Sequence, residues 1–469
     1  MAEKRNPLQR NPLERPVYQT LPEIRRTQSL PRFQTVGEPP KNRAEKLLSY
    51  MADVRSGEGW SALLLLVNVF LLLFAYYLLK TVREALILTE GSAYVKAYSS
   101  AGQAALLMLV VPLYGFIGTK VVRIKLIAGM MLFFVTNLVI FYLAGVSGAR
   151  EGVVFYIWVG IFNVFVISQV WAFANDIYTE AQGKRLFPMI GVGSSLGAWL
   201  GALGASRLVS TLHASPYQLQ LLAGAILVVC GTLVITVNRI AVRNSTPEMA
   251  GHAEQKLAEG SGFALIFRSR YLMLIAALIV LLNVVNSTGE FMLGDLVSNQ
   301  AHSLYPDDAK AQKAFVGTFY GNFFAGVNLL GFLFQTLAVS RLFPVIGVRG
   351  AMYILPAISL MSYSLLGLVP MLGIVRWAKT LENATDYSLQ NTVRQALFLP
   401  TSREAKYKAK AAIDTFFMRS GDVLQAGIVK LGATFQLGLT GFAWVNVGLT
   451  LIWLYTVSRL ARQHRKMGF

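Results

Sequence analysis

One short stretch of the chain gathers four charged side chains at helical spacing: Arg376, Lys379, Glu382 and Asp386. At about 100° per residue, all of them fall within roughly a third of the circumference of a helix. The surrounding residues are largely apolar, and a charge at the centre of a bilayer costs at least ~2.5 kcal/mol, so such side chains normally face protein or a water-filled path. The pattern predicts a protein that moves a polar solute across a membrane.

The composition is that of an integral membrane protein. The chain has 469 residues, of which 54% are hydrophobic and 14% charged, and its mean hydropathy is +0.50. Apolar runs of about 20 residues, the length that crosses a bilayer, recur along it. The sequence therefore predicts an all-α membrane protein with twelve transmembrane helices. The predicted spans are 60–82, 98–119, 124–145, 153–175, 187–212, 217–238, 271–298, 315–338, 344–366, 369–391, 412–435 and 437–458.

A long polar break after the sixth span divides these spans into two sets. We predict a six-helix N-terminal half at 56–240, a cytoplasmic linker at 241–265 and a six-helix C-terminal half at 266–469. Two parallel six-helix halves around a site at the membrane midplane are the organisation of the major facilitator type. Residues 1–55 are rich in Pro and Arg, and we predict a disordered, basic, cytoplasmic segment.

Basic residues follow the even-numbered spans, as at Lys120, Arg349 and Lys406. The positive-inside rule then places both termini in the cytoplasm. The net charge of +19 suits anionic lipid headgroups, so the partner it predicts is the bilayer and not nucleic acid.

Span one ends in a charged cluster of Lys80, Arg83 and Glu84. In one interpretation the cluster snorkels to the headgroups. In the other, its cations contact an anion in a cavity, which the apolar run that follows them favours.

Two other spans carry ionisable groups. Glu290 in span seven is either the structural partner of a cation or a coupling group that exchanges a proton. Arg419 and Asp422 in span eleven are three apart, so Arg419 either pairs with Asp422 or binds a phosphate or carboxylate. Asn175 and Asp176, at the inner end of span four, are predicted to be gate or loop-anchoring residues.

Other features indicate structure and not chemistry. Glycines four apart in span five, such as Gly193, Gly197 and Gly201, are typical of close helix packing in a bilayer. Cys230 is the one cysteine, so the sequence predicts no cysteine-rich metal site, and we expect no cofactor.

Several tracts resemble the ATP/ADP translocases of plastids and obligate intracellular bacteria. Residues 394–400, 410–414 and 419–421 resemble that family's Lys-Glu-Met-Ala-Tyr-Ile-Pro-Leu, Gly-Lys-Ala-Ala-Ile-Asp and Ser-Arg-x-Gly-Lys. Residues 173–175 and 184–188 resemble its Phe-Ala-Asn and Lys-Arg-Phe-Tyr-Pro. Span one is similar to its Leu-Arg-Asp-x-Lys-Asp, and Glu290 falls where the family has a glutamate in span seven.

The resemblance implies nucleotide exchange, with the span-one cations and Glu290 among the functional positions. Three positions depart from the family pattern: Asp386 and Asp422 stand in place of lysines, and Gln182 in place of a glutamate. Two cations have thus become anions, which makes the local potential less favourable to a triphosphate.

Together these features predict a secondary transporter of nucleotides or a related anionic metabolite in a bacterial inner membrane. The predicted anion contacts are Lys80, Arg83, Lys379 and Arg419, and the predicted coupling or gating residues are Glu84, Asn175, Asp176, Glu290, Glu382, Asp386 and Asp422. The cavity is predicted between spans one, four, five, seven, eight, ten and eleven. We expect a small anionic substrate and a chain able to work as a monomer.

Three alternatives stay open at this point. The first is a major facilitator carrier of a zwitterion or cation, which the acids at 386 and 422 suggest. The second is a membrane scaffold or receptor that recruits a partner through its N-terminal segment. A membrane-embedded enzyme is least supported, because the spans hold neither a Ser/His pair nor a cluster of histidines.

Overall fold

A computed structural model describes residues 43–49, 53–55, 57–118, 123–243, 262–402 and 405–467. Residues 1–42 and 244–261, which hold most of the predicted N-terminal segment and linker, lie outside the described residues, and their assignment stays a prediction. A short helix, α1 (Arg43–Leu48), precedes the membrane region.

The first half consists of long helices, and the second is more interrupted. The first comprises α2 (Gly59–Glu90), α3 (Ala93–Gly118), α4 (Arg123–Val146), α5 (Gly152–Ile177), α6 (Glu180–Leu212) and α7 (Pro216–Arg243). The second comprises α8 (Gly262–Arg268), α9 (Arg270–Leu304), α10 (Ala309–Leu333), α11 (Ser340–Leu368), α12 (Leu372–Thr385), α13 (Asn391–Ala396), α14 (Lys410–Ala412), α15 (Met418–Thr434) and α16 (Leu439–Lys466). π-helical segments lie at Phe334–Val339, Asp386–Gln390, Ala405–Ala409 and Ile413–Phe417.

The helices confirm the predicted all-α membrane fold, since every predicted span falls on a helical segment. Within the described ranges, nine helices are long and apolar enough to cross a bilayer: α2, α4, α5, α6, α7, α9, α10, α11 and α16. The other three spans correspond to α3, to α12 with α13, and to α14 with α15. These three carry several of the polar side chains considered below.

The helix contacts show that the second half repeats the first. In the first half α2 packs against α5, α6 and α7, and in the second α9 packs against α12, α15 and α16, which occupy the same places in the order of spans. The contacts between the halves are also paired, with α3 against α15 and α10 against α6. The protein is therefore built of two six-helix halves related as parallel repeats.

Small residues allow the closest of these contacts, between α2 and α6. A β-carbon added at Gly197 or Gly201 would run into the backbone carbonyl oxygen of Phe70 or Phe74. The two backbones touch there, as is common where glycines recur four apart in membrane helices. The predicted role of the span-five glycines in packing is confirmed.

Glu58, just before α2, ties the start of α6 to the start of α2. Arg185 donates two hydrogen bonds to its carboxylate, at 2.8 and 3.0 Å, and Gln182 Nε2 donates a third at 3.1 Å. Burial works to raise the pKa of Glu58, but these hydrogen bonds hold it below its ordinary value. A glutamate at position 182 would face Glu58 and repel it, which explains the glutamine in this chain.

Candidate functional site

A cavity of about 250 Å³ lies between the two halves. Its walls come from α2, α3, α5, α9, α10, α12 with the following π-helical segment, and α15. The sequence predicted span five in this wall, but among the described residues α6 contributes no lining side chain. Span two, as α3, contributes instead, because α6 is held against the far side of α2 by its glycines.

The span-one cluster lines this cavity. Helix α2 continues to Glu90, beyond the predicted end of the span at residue 82. Lys80, Arg83 and Glu84 therefore lie inside the helix, and the buried residues that follow them place them well below its end. The three side chains border the cavity, as the second interpretation of the cluster predicts.

Glu84 is held by two cations from different helices. Its Oε2 lies 2.7 Å from Lys96 Nζ on α3, and its Oε1 lies 2.5 Å from Arg83 Nη2. The Arg83 guanidinium also stacks 4.5 Å from the centre of the Tyr156 ring. The carboxylate is only 1% exposed, so it depends on these two partners for its charge to be tolerated.

Lys96 was missed by the sequence analysis, because the residues around it are polar and lie before the predicted start of span two. A signal was present, since Lys96, Ser100 and Gln103 are three or four apart and share one face of a helix. All three line the cavity.

Lys80 differs from the other cations of the cavity wall. Its ammonium lies 4.2 Å from the centre of the Phe324 ring and 5.2 Å from that of Tyr77. Among the described residues no carboxylate lies within 4.0 Å of it. Lys80 is thus held by aromatic faces, with its charge available to a bound anion.

Lys379 and Glu382 lie behind the cavity wall and not in it. Lys379 Nζ lies 2.8 Å from Glu382 Oε2 and 2.5 Å from Asn286 Oδ1. Glu382 also accepts hydrogen bonds from Ser359 and Tyr363 of α11, at 2.8 and 2.7 Å. The predicted stripe does face protein, but the pair is sealed into a hydrogen-bond network between α9, α11 and α12.

Glu290 connects this network to the cavity. It borders the cavity and accepts a hydrogen bond of 2.8 Å from Asn383 Nδ2. Its Oε1 lies 3.8 Å from Lys379 Nζ, so the buried lysine influences the cavity through Glu290.

Arg419 and Asp422 both line the cavity and pair with each other, with Nη1 and Oδ2 3.5 Å apart. Asp422 Oδ1 also accepts hydrogen bonds from Asn283 Nδ2 at 3.0 Å and Ser287 Oγ at 3.1 Å. The carboxylate is therefore anchored on α9, and Arg419 is left with donors directed elsewhere.

The remaining predicted site residues lie away from the cavity. Asp386 begins a π-helical segment, and its Oδ1 is buried without a hydrogen-bond partner among the described residues. Asn175 and Asp176 are exposed near the end of α5, and neither is a lining residue.

The charges that line the cavity nearly balance. They comprise four cations, Lys80, Arg83, Lys96 and Arg419, and three carboxylates, Glu84, Glu290 and Asp422. Aromatic rings and amides fill the rest of the wall, as with Tyr387 and Asn383. Such a wall can hold a molecule that combines an anionic group with a flat, hydrogen-bonding body.

Comparisons with known proteins agree with this architecture. The nucleoside transporter NupG superposes with a TM-score of 0.63 at 15% identity, over 85% of this chain and 98% of its own. An inward-facing bacterial homologue of the iron transporter ferroportin gives a TM-score of 0.57 at 14% identity, over 86% of this chain and 98% of its own. At these identities the likeness shows the fold, which is of the major facilitator type.

Sequence relatives are more specific. ADP,ATP carrier protein 1 of Chlamydia trachomatis serovar D is 24% identical over 338 residues, covering 66% of this chain and 64% of its own length. ADP,ATP carrier protein 3 of Rickettsia prowazekii is 21% identical over 363 residues, covering 66% of this chain and 70% of its own length. The chain thus spans a little under two thirds of the Chlamydia relative.

A family model matches a similar share of the chain. Residues 151–464 match the model described as TLC ATP/ADP transporter, a stretch that runs from just before α5 to near the end of α16. The resemblance seen in the motifs is confirmed, and this multi-pass membrane protein belongs to the TLC ATP/ADP transporter family.

Proposed function

We propose that the protein is a secondary transporter that exchanges nucleotides, such as ATP and ADP, or a related phosphorylated metabolite by alternating access. The observation that carries the proposal is Lys80, a cation without a carboxylate partner among the described residues, in a cavity between two halves that can rock about it. Family membership supports the nucleotide, since the relatives are named as ADP,ATP carriers.

In this proposal a phosphate group approaches Lys80, with Arg83 and Arg419 beside it in the same cavity. Glu290 and Asp422 border the cavity as coupling groups, while Glu84 fixes Arg83 and Lys96. Movement of the halves then exposes the cavity to each side of the membrane in turn. The driving force comes from exchange or an ion gradient and not from hydrolysis, in a bacterial inner membrane with both termini in the cytoplasm.

The test is uptake of labelled ATP, ADP and AMP into proteoliposomes preloaded with unlabelled nucleotide. Lys80→Ala removes a charge-assisted contact of about 1.5–3 kcal/mol, so we expect the apparent affinity to fall by about 10- to 150-fold. Lys430→Ala is the matched control, because Lys430 is an exposed lysine on α15 away from the cavity. Failure of the folded wild-type protein to bind or take up any nucleotide would overturn the proposal.

The carboxylates of the cavity favour a second candidate, a carrier of a zwitterion or cation. Glu290 is the relevant group, because it faces the cavity and its distance to Lys379 is 3.8 Å, longer than a hydrogen bond. This candidate would be selected if the protein took up a labelled amino acid or amine but no nucleotide, and if Glu290→Gln abolished that uptake.

A further inference from the structure

All but one of the described cations of the cavity wall form an ion pair with a carboxylate. Glu84 forms ion pairs with Arg83 and Lys96, and Asp422 forms one with Arg419. Lys80 alone among the described lining cations lacks such a partner. A substrate anion therefore meets one described lining cation, Lys80, that is not already in an ion pair.

The positions of the carboxylates limit how much negative charge a substrate can bring. Glu290 on α9 and Asp422 on α15 border the same cavity as Lys80 on α2. A phosphomonoester carries about −1.5 to −2 at neutral pH. Each further phosphate would add negative charge that, among the described lining cations, only those already paired with a carboxylate could balance.

Given the proposed transport of nucleotides, we infer that the cavity prefers nucleoside monophosphates to di- and triphosphates. The single phosphate lies at Lys80, and Asp422 is the residue that excludes longer phosphate chains. Asp422 does so because it neutralises Arg419, which would otherwise be a second phosphate contact.

The rest of the cavity suits a base and a sugar. Gln103 Oε1 and Asn383 Oδ1 are buried without a hydrogen-bond partner among the described residues, and both side chains line the cavity. These acceptors match the amino and hydroxyl donors of a nucleoside. The ring of Tyr387, which is 45% exposed, offers a face for stacking. A volume of about 250 Å³ is also smaller than the ~300–1,000 Å³ usual for small-molecule sites, which favours a compact nucleotide.

The test is a binding series on the purified full-length protein with adenosine, AMP, ADP and ATP, and with the uridine counterparts. We expect the monophosphate to bind at least about tenfold more tightly than the triphosphate. Lys80→Met should reduce the affinity for the monophosphate to near that for the nucleoside, and leave the nucleoside unchanged. Equal or tighter binding of di- or triphosphate by the wild-type protein would overturn the inference and leave nucleotide transport standing.

A variant that replaces one carboxylate oxygen of Asp422 by an amide nitrogen tests the role of its charge. Asp422→Asn keeps the shape and releases Arg419, so the ratio of affinities for ADP over AMP should rise by about tenfold. Asp295→Asn is the matched control, since Asp295 lies on α9 outside the cavity wall and bonds to Asn299. An unchanged ratio in folded Asp422→Asn would overturn the role of Asp422. If the folded wild-type protein bound no nucleotide, the proposed function and this inference would both fail.

Discussion

Lys313 Nζ lies 2.7 Å from Glu90 Oε1, and this ion pair joins the two halves at the end of the bundle where α2 ends and α10 begins. Lys313 also donates a hydrogen bond of 3.1 Å to Tyr217 OH. The other carboxylate oxygen of Glu90 accepts hydrogen bonds from the backbone N–H groups of Glu151 and Gly152, at 2.9 and 2.8 Å. One carboxylate thus caps α5 and holds α10, a position that the N-terminal dipole of α5 favours.

Breaking this pair should favour opening at that end. Lys313→Met removes a partly buried contact between the halves, so we expect the ratio of open to closed molecules to rise by about 5- to 150-fold, for a coupling of about 1–3 kcal/mol. The measurement is the distance distribution between spin labels at Ala149 and Asp307, which are exposed on opposite halves, with Cys230 replaced by Ser.

Lys310→Met is the control for this experiment, because Lys310 is exposed on the same helix and forms no ion pair among the described residues. Identical distance distributions in the two variants would show that the pair does not restrain the halves.

Glu151, beside this ion pair, should make stability depend on pH. Its side chain is 4% exposed and accepts a hydrogen bond of 2.6 Å from Gln220 Nε2. Burial raises the pKa of Glu151 to about 7, against about 4.5 for an ordinary glutamate, and the neighbouring Glu90 adds to the rise while Lys313 opposes it. The folded state then binds more protons than the unfolded state between these values, so stability falls as pH rises from about 4.5 to 7 and is level above.

Glu151→Gln should remove this dependence. We expect the wild-type melting temperature, followed by tryptophan fluorescence, to fall by several degrees between pH 5 and pH 8. The melting temperature of the variant should fall less over the same range, because the contribution of Glu151 is absent. Parallel curves for the two proteins would contradict the assignment.

Lys379 and Glu382 should behave as one structural unit. Lys379 is only 1% exposed, and its removal leaves the Glu382 carboxylate buried without its cation. Lys379→Met is expected to cost about 3–5 kcal/mol of stability. The double variant Lys379→Met with Glu382→Leu should be less destabilised than the sum of the single variants, since no charge remains buried.

The exposed Lys430→Met serves as the control for loss of a lysine on a membrane helix. Strict additivity of the two single changes would show that the pair is not coupled.

The contact between α2 and α6 predicts opposite effects for the same substitution at two glycines. At Gly197 an added β-carbon would strike the Phe70 carbonyl, so Gly197→Ala should destabilise the fold by about 1–3 kcal/mol. At Gly191, on the same helix, no atom lies within 4 Å of the added carbon, so Gly191→Ala should be neutral or stabilising by up to about 1 kcal/mol. Equal melting temperatures for the two variants would contradict the packing.

The sequence predicted the helices and much of the cavity because each depends on local pattern. Apolar length identifies the spans, and the cost of charge in a bilayer marks Lys80, Arg83 and Glu290 as facing protein or water. The sequence could not predict which charged side chains pair with each other, since this depends on which helices pack together. Lys96 reaches Glu84 from another helix, and Ser359 and Tyr363 of α11 help enclose Glu382.

For the same reason, the sequence could not predict which helices line the cavity. The stripe of span ten does face inward, as its spacing predicted, but the α9 and α11 side chains that bury Lys379 and Glu382 are distant in the sequence. The exchange of α6 for α3 in the wall follows from glycine contacts on α2, which spacing alone does not orient.

The π-helical segments within the described residues all belong to the second half, at 334–339, 386–390, 405–409 and 413–417. Each segment has one extra residue per turn, so its backbone hydrogen bonds join residues five apart instead of four. The position of this extra residue can move along the helix when the helix changes conformation. The first half has continuous α-helices over its described spans. We therefore expect a mechanical asymmetry, in which the helices of the second half bend at these segments during transport.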